Sequence, residues 1–390
     1  VEIDRKQKQE NAVKGFLIDF LPKANANQTA IPMMVRGLTV MHAQFGILEW
    51  RLMLADSERY ARFGYELSRA SRNHWQNLLQ KNYHSSLLRF GQIAHGGRNP
   101  FISQQEIGSL VQQPTLASIL GQVRARGGGV LYIGSLANQV AQIYQENGLM
   151  LDPQTLREAL PKVSQLEGVS LGNDVLYTTH IARRLLPLIV EDINQHQSDW
   201  HQVAFDTNLQ TAWFSKAGFD PRFELSVHDH KGVSVSASDG WGLSVACRLT
   251  NGQAPFRFIE RLGFVIGAPL NDAQMEWNHS DIAVLVNQNT NSFHWLGVGE
   301  GSLIDYAVLG GLLEGALQRD LDIKARIEQK RIIFNPLSPN LDLVETDDVS
   351  FGGVQSIYCP RGIPSNEDTA LCFVETDARN AGLGQSLSVF

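Results

Sequence analysis

Several groups of residues in this chain could do chemistry by type and spacing. His228-Asp229-His230 sets two imidazoles at i and i+2, which on a strand share a face and could hold a metal ion. No further ligand cluster accompanies them, so a solvated hairpin tip is the preferred reading. Tyr177-Thr178-Thr179-His180 offers two hydroxyls ahead of a histidine. The run that follows, Ile-Ala-Arg-Arg-Leu-Leu-Pro-Leu-Ile, is helical in pattern, so the threonines read as a helix cap. His279 and Asp281, two apart, could pass a proton between them. Ser226 and Ser234 share a predicted hairpin, where alternation makes them inward-facing or edge residues. Trp241, between Gly240 and Gly242, either plugs a pocket or packs. The cysteines Cys247, Cys359 and Cys372 fit neither a disulfide framework nor a zinc motif. They read as small core residues, with a Cys359–Cys372 pairing left open.

These residues sit in a chain of ordinary globular balance. It has 390 residues, 40 acids against 33 bases, a net charge of −7, 43% hydrophobic and 19% charged residues. That excludes a disordered polyelectrolyte, a collagen-like repeat and a disulfide-rich miniprotein. Nucleic acid is not expected as a partner, because phosphate binding needs clustered Lys and Arg. The densest basic run, Lys324 to Arg331, contains Glu328 and reads as a solvated helix face. No window approaches the apolar length of a membrane span. The first residue is Val1, which suggests removal of a leader or a longer segment.

The elements that must position the candidates follow from periodicity. Gly15 to Leu21 reads as a strand, and residues 31 to about 165 as helical. Pro114 marks one helix start, Gly148 a helix stop, and Asp152 a cap. From about Arg222 the period changes to 2. Leu225 to Ala237 predicts strand, turn and strand, with the turn at Asp229 to Gly232. Ile282–Val286 and Phe293–Leu296 predict a second hairpin, Leu303 to Leu317 a buried helix, and Val354–Tyr358 with Ala370–Val374 a third strand pair. A mainly helical region, 1–221, therefore precedes a strand-rich region, 222–390, in an α+β body with helices covering sheets.

With these elements in order, the chain resembles the gamma-glutamyltranspeptidase family. Ile31-Pro32-Met-Met-Val35-Arg-Gly37-Leu38 is similar to its Val-Pro-Gly-x-Val-x-Gly-Leu segment. His42, Phe45-Gly46, Leu48 and Trp50 are similar to its His-x-x-Phe-Gly-x-Leu-x-Trp run. Gln113-Pro114-x-Leu116-Ala117, Tyr132-x-Gly134 and Leu151-Asp152 with Leu156 follow in the same sequence. Ser226-Val-His-Asp229-His-Lys-Gly232 resembles the Ser-Val-Val-Asp-x-x-Gly at the start of the family's small subunit. Gly352-Gly-Val-Gln355-Ser-Ile357 and Asp377-Ala-Arg379-x-x-Gly382 resemble its C-terminal motifs. Their collinear order over about residues 13–390 carries the resemblance. The family's N-terminal Gly-rich strand and first helix have no counterpart.

The resemblance implies an αββα N-terminal-nucleophile hydrolase-like sandwich, N-terminally shortened, with residues 1–221 like the large subunit and 222–390 like the small one. In such enzymes a freed N-terminal Thr attacks a gamma-glutamyl amide, with its own amine, of reference pKa about 7.7–8.0, as base. Two glycine N–H groups hold the oxyanion, and an Arg clamps the glutamyl carboxylate. At each of those places this sequence departs. Arg222 falls at the nucleophile, and Gly240 and Gly242 near its supporting Thr and Asn. Asn271 falls near the acid that receives the substrate amine, and Ser280 is the one serine left of a Ser-Ser motif. Gly299-Glu300-Gly301 replaces the oxyanion loop, and Asp19 to Lys23 replaces the clamp. The expectation is a fold that has lost transferase catalysis and serves as a structural or interaction subunit. The alternatives are an active gamma-glutamyl hydrolase or transferase, and a small-molecule binder. No cofactor and no metal are expected; a protein partner or self-association is. The resemblance points to a periplasmic or extracellular place.

Overall fold

A computed structural model describes residues 13–69, 71–72, 107–196, 212–213, 215–218, 233–250, 252–270, 281–299, 303–334, 343–346, 353–364, 371–380 and 382–386. The chain divides into two units: residues 18–163 with 250–272, and residues 1–17 with 164–249 and 273–390. The region boundary expected at 221/222 lies outside the described residues.

The first unit is mainly helical. It holds α1 (Met34–Phe45), α2 (Trp50–Phe63), α3 (Pro114–Arg126), α4 (Ser135–Glu146) and α5 (Pro153–Glu158). Pro114 occupies the first turn of α3, where a missing N–H costs nothing. Asp152 caps α5, its Oδ1 accepting from the Thr155 N–H at 2.8 Å. The carbonyls at the end of α5 are met from across the unit: Arg36 Nη1 donates to Leu156 O and Arg157 O, each at 3.0 Å. The Arg36 guanidinium also lies over the Tyr132 ring, 4.5 Å from its centre. Met33, Val123, Tyr132, Leu136, Val140, Tyr144, Leu151 and Leu156 form the core. The hairpin Gln253–Ile259 and Phe264–Ala268 adds Ile259 and Ile266 to it, so this segment of the strand-rich half belongs with the helices. Short strands also interrupt the stretch expected to be helical, Leu110–Val111 and Lys162–Leu166 among them.

The second unit is built on a sheet. Its strands include β1 (Val169–Leu171), β2 (Asp174–Thr178), β3 (Val233–Ser238), β4 (Ser244–Leu249), β5 (Ile282–Asn287), β6 (Ser292–Gly299), β7 (Val354–Ile363) and β8 (Phe373–Thr376). Six of them form one sheet in the order β8-β7-β6-β5-β2-β1. Every neighbouring pair is antiparallel. Alternation sends Leu176, Ala283, Leu285, Trp295 and Tyr358 to one face, where α6 (His180–His196) and α7 (Leu303–Gln318) cover them. The helices contribute Leu185, Leu186, Ile189, Val308, Leu309, Leu312 and Leu313. A Cβ on Gly310 would stand 2.3 Å from Ile189 Cγ2, so the bare backbone there lets α7 approach α6. The Trp295 indole keeps its polar bond inside the core by donating to Ser356 Oγ at 2.9 Å.

The opposite face carries Val284, Val286, Phe293, Leu296, Val298 and Ile357, with Ala246 of the β3–β4 hairpin packed against them. That hairpin is in register Val235↔Cys247. Its turn is an Asx turn: Asp239 Oδ1 accepts the N–H groups of Trp241 and Leu243, each at 2.9 Å, and Gly242 takes φ +90°. The strand expected to end at Ala237 is therefore present, and its described partner is β4. The strand and turn expected at residues 225–232 lie outside the described residues. The hairpin β5–β6 and the helix α7 stand where the sequence placed them, whereas β7 runs on past Tyr358 to Ile363 and β8 occupies Phe373–Thr376 rather than Ala370–Val374. The pairing left open by the sequence is made: Cys359 and Cys372 are bridged.

Candidate functional site

Arg248, Asp281 and Asp305 gather at one end of the sheet, where β2, β6 and β8 finish and β5 and β7 begin. Inward-facing alternation along β4 buries Ser244 and Arg248. Asp281 stands immediately before β5 and is fully buried. Arg248 Nη1 donates to both of its carboxylate oxygens, at 2.9 and 2.7 Å. Asp305, also fully buried, lies in the first turn of α7, where the helix dipole favours a negative charge. Gly299 closes the group. A Cβ there would stand 2.8 Å from Asp305 Cβ and 3.3 Å from Asp281 Cβ. The Gly299 N–H donates to the Asp281 carbonyl at 2.7 Å. Beside it, Thr178 Oγ1 donates to Ile282 O at 2.6 Å, and Thr179 is buried between β2 and α6.

Sequence-predicted residues are distributed unevenly over this arrangement. Gly299 is at its centre. Gly240 and Gly242 belong to the β3–β4 turn, and Trp241 on that turn is 67% exposed, so the packing expected of it is not made. Thr178 is the last residue of β2 rather than part of a helix cap, and α6 begins at His180. Asp281, considered for acid–base work, is instead the buried partner of an arginine. Arg222, Asn271, Ser280, Glu300 and Gly301 lie outside the described residues, as do Ser226, the His228–His230 group and His279. In the helical unit, Lys23, the cation left at the clamp position, pairs with Asp19 at 3.8 Å.

Two residues of the cluster were missed by sequence reasoning. Arg248 interrupts an otherwise Ser- and Ala-rich inward face, and that single charge was the available signal. Asp305 carried the ordinary signal of an acid in a first helical turn.

The other end of the sheet has a different chemistry. Thr290 Oγ1 and Ser292 Oγ share a bond of 2.6 Å, and Ser292 Oγ and His294 Nε2 another of 3.1 Å. Nearby, Arg319 Nη2 donates to Asp174 Oδ1 at 2.7 Å, as does Asn287 Nδ2 at 3.1 Å. Burial, reinforced by the Arg319 charge and opposed by Asp174, holds His294 down at about 4, so its ring is neutral at neutral pH. The free thiol, Cys247, is pushed up to about 11 by burial and stays protonated, which is the wrong state for a nucleophile. Among the described residues no group of three or more His, Cys, Asp or Glu side chains could hold a metal ion. Among them, too, no helix is long and apolar enough to cross a membrane.

Comparison with known proteins adds three findings. Residues 8–182 match the gamma-glutamyltranspeptidase family model. The glutathione hydrolase 5 proenzyme of Rattus norvegicus is 28% identical over 154 residues, which is 39% of this chain and 26% of that protein. The aligned part thus spans about a quarter of that relative's length. The crystal structure of cephalosporin acylase from Bacillus halodurans shares the fold, with a TM-score of 0.67 at 14% identity over 95% of this chain and 81% of that one. The fold is α+β and is the one shared with that acylase.

Proposed function

We propose that the chain, whose residues 8–182 match the gamma-glutamyltranspeptidase family model, keeps that family's framework without the transferase reaction and serves as a structural or interaction subunit of a protein assembly. The observation that carries this reading is the use made of Gly299. In the resemblance this glycine opens the oxyanion loop. Here its N–H is spent on the Asp281 carbonyl, and two buried carboxylates flank it. An oxyanion hole needs a donor free to meet developing negative charge, and neighbouring acids oppose that charge. Arg222 at the nucleophile position supplies no hydroxyl or thiol.

The helices α6 and α7, the six-stranded sheet and the β3–β4 hairpin are read as three layers of the αββα sandwich, with 1–221 and 222–390 as the large- and small-subunit-like regions. Partner binding draws support from the helical unit, where Leu52 and Phe63 on α2 and Ile47 before it are 63%, 67% and 96% exposed. A periplasmic or extracellular place draws support from the Cys359–Cys372 disulfide, since such bridges persist where the surroundings are oxidising.

Two measurements test the reading together. Intact mass after purification should give the single 43.3 kDa chain with no pair of fragments. A chromogenic gamma-glutamyl anilide should not turn over. Fragments that sum to the whole, or turnover abolished by a site substitution, would overturn the proposal in favour of an active hydrolase or transferase.

A further inference from the structure

The disulfide sits at a mechanically distinctive place. β8 is the edge strand of the sheet and pairs with β7 over four residues: Gln355↔Thr376, Ser356↔Glu375, Ile357↔Val374 and Tyr358↔Phe373. The next opposed pair in that register is Cys359 and Cys372, so the bridge closes the ladder just where β8 begins. Beyond it β7 runs on to Ile363, which pairs with Phe293 of β6.

Among the described residues, Cys372 and Val374 of this end pack only partly buried against the sheet. Leu371 and Phe373, on either side of Cys372, are 50% and 45% exposed. A four-residue edge strand with half-exposed apolar side chains gains little from burial. Its other end is tied differently. The Asp377 N–H donates to Val354 O at 3.0 Å, and Arg379 Nη2 donates to Ile327 O at 2.8 Å and Gln329 O at 3.1 Å. The strand is thus pinned at one end by hydrogen bonds and at the other by a covalent bond that a thiol can open.

The two sulfurs differ in access: Cys359 is 1% exposed, whereas Cys372 is half-buried at the edge. We propose that the Cys359–Cys372 bridge is a redox clasp, which when reduced releases β8 from the edge of the sheet. In the opening step a thiolate of a dithiol reductant, of the thioredoxin or dithiothreitol class, attacks the Cys372 sulfur. The S–S bond breaks, Cys359 leaves as a thiolate and takes up a proton. The second thiol of the reductant loses its proton and displaces Cys372 from the mixed disulfide. The products are two protein thiols and the reductant's own disulfide, two electrons having passed to the protein.

Hydrogen exchange on the intact protein, with and without dithiothreitol, tests the clasp. Amides of residues 355–359 and 372–376 should exchange at least about tenfold faster after reduction, while those of the central pair β5–β6 keep their protection. A Cys359→Ser/Cys372→Ser variant should reproduce the reduced pattern without reductant, and Cys247→Ser should change neither state. Unchanged protection at 355–359 in both the reduced protein and the double variant would overturn the proposal. So would loss of protection throughout β5–β6, because the bridge would then be holding the whole sheet rather than its edge.

Discussion

The two ends of the six-stranded sheet solve the problem of buried polarity in opposite ways. At one end charge meets charge: Arg248 and Asp281 are 4% and 0% exposed at the side chain and joined through two contacts. At the other, neutral groups are chained: Thr290, Ser292 and a His294 that burial keeps uncharged. Its ion pair, Arg319–Asp174, sits further out, at 28% and 8%. The difference teaches where the molecule has committed itself. A buried ion pair resists removal of either partner, because the survivor is left charged in a poor solvent. A chain of hydroxyls and a neutral imidazole loses less when one member goes, and responds instead to protons.

The largest expected effect comes from breaking the charged end. Asp281→Ala leaves the Arg248 guanidinium buried without its carboxylate and should cost about 3–5 kcal/mol, read as the shift of the urea midpoint at constant slope. Asp174→Ala should cost less, about 1–2 kcal/mol, because water already reaches Arg319. Equal losses at the two ends would erase the distinction. The sharper form of the test is the double change Arg248→Met with Asp281→Leu. It should recover most of the loss, since the penalty lies in burying the guanidinium without this carboxylate and not in the absent bond.

How much of this was written in the sequence depends on range. β5 and β6 were legible because two short, mainly apolar runs flank an Asn/Gln/Thr loop that joins them. The cap at Asp152 was legible because its partner, Thr155, is three residues away. The Cys359–Cys372 pairing was visible as an option, their separation being 13 residues. Arg248 and Asp281 are 33 residues apart, and their meeting depends on how the β3–β4 hairpin lies across the sheet, which no local period encodes. For the same reason residues 250–272 read as part of the strand-rich half, although Ile259, Leu262 and Ile266 bury themselves among the helices. Of the candidate site, the position of Gly299 was legible. That its N–H is spent on Asp281 was not, because a backbone bond across a strand end follows from register alone.

The neutral end should reveal itself through pH. The folded pKa of His294 is near 4 and the free value 6.5. As pH falls below 6.5 the unfolded chain takes up a proton that the folded one refuses, so stability is lost progressively down to pH 4. The full loss is on the order of 3 kcal/mol, and none is added below pH 4. His294→Gln should flatten this part of the stability profile, measured as urea midpoints at closely spaced pH values. The wild type and the variant should therefore diverge between pH 6.5 and 4 and run parallel below. Parallel curves through the whole window would mean that the imidazole is not held neutral, and the contrast between the ends would lose its second half.

The smallest effect should come from within the hydroxyl chain. Ser292 is 3% exposed and its Oγ lies between Thr290 Oγ1 and His294 Nε2. Ser292→Ala removes both contacts and should cost about 1–2 kcal/mol at pH 7, well under the Asp281→Ala loss, because no charge is stranded. The sign of a second readout separates a hydrogen-bonding role from mere packing. A hydroxyl that donates to neutral Nε2 favours the unprotonated ring. Without it the folded pKa of His294 should rise towards its free value and the acid-sensitive window should narrow. The hydroxyl also fills space against Gly362, where a Cβ would stand 2.6 Å from Ser292 Oγ. A purely steric role would lower stability by the same amount at every pH. A window that stays as wide as in the wild type would therefore assign Ser292 to packing, and a narrower one to the imidazole.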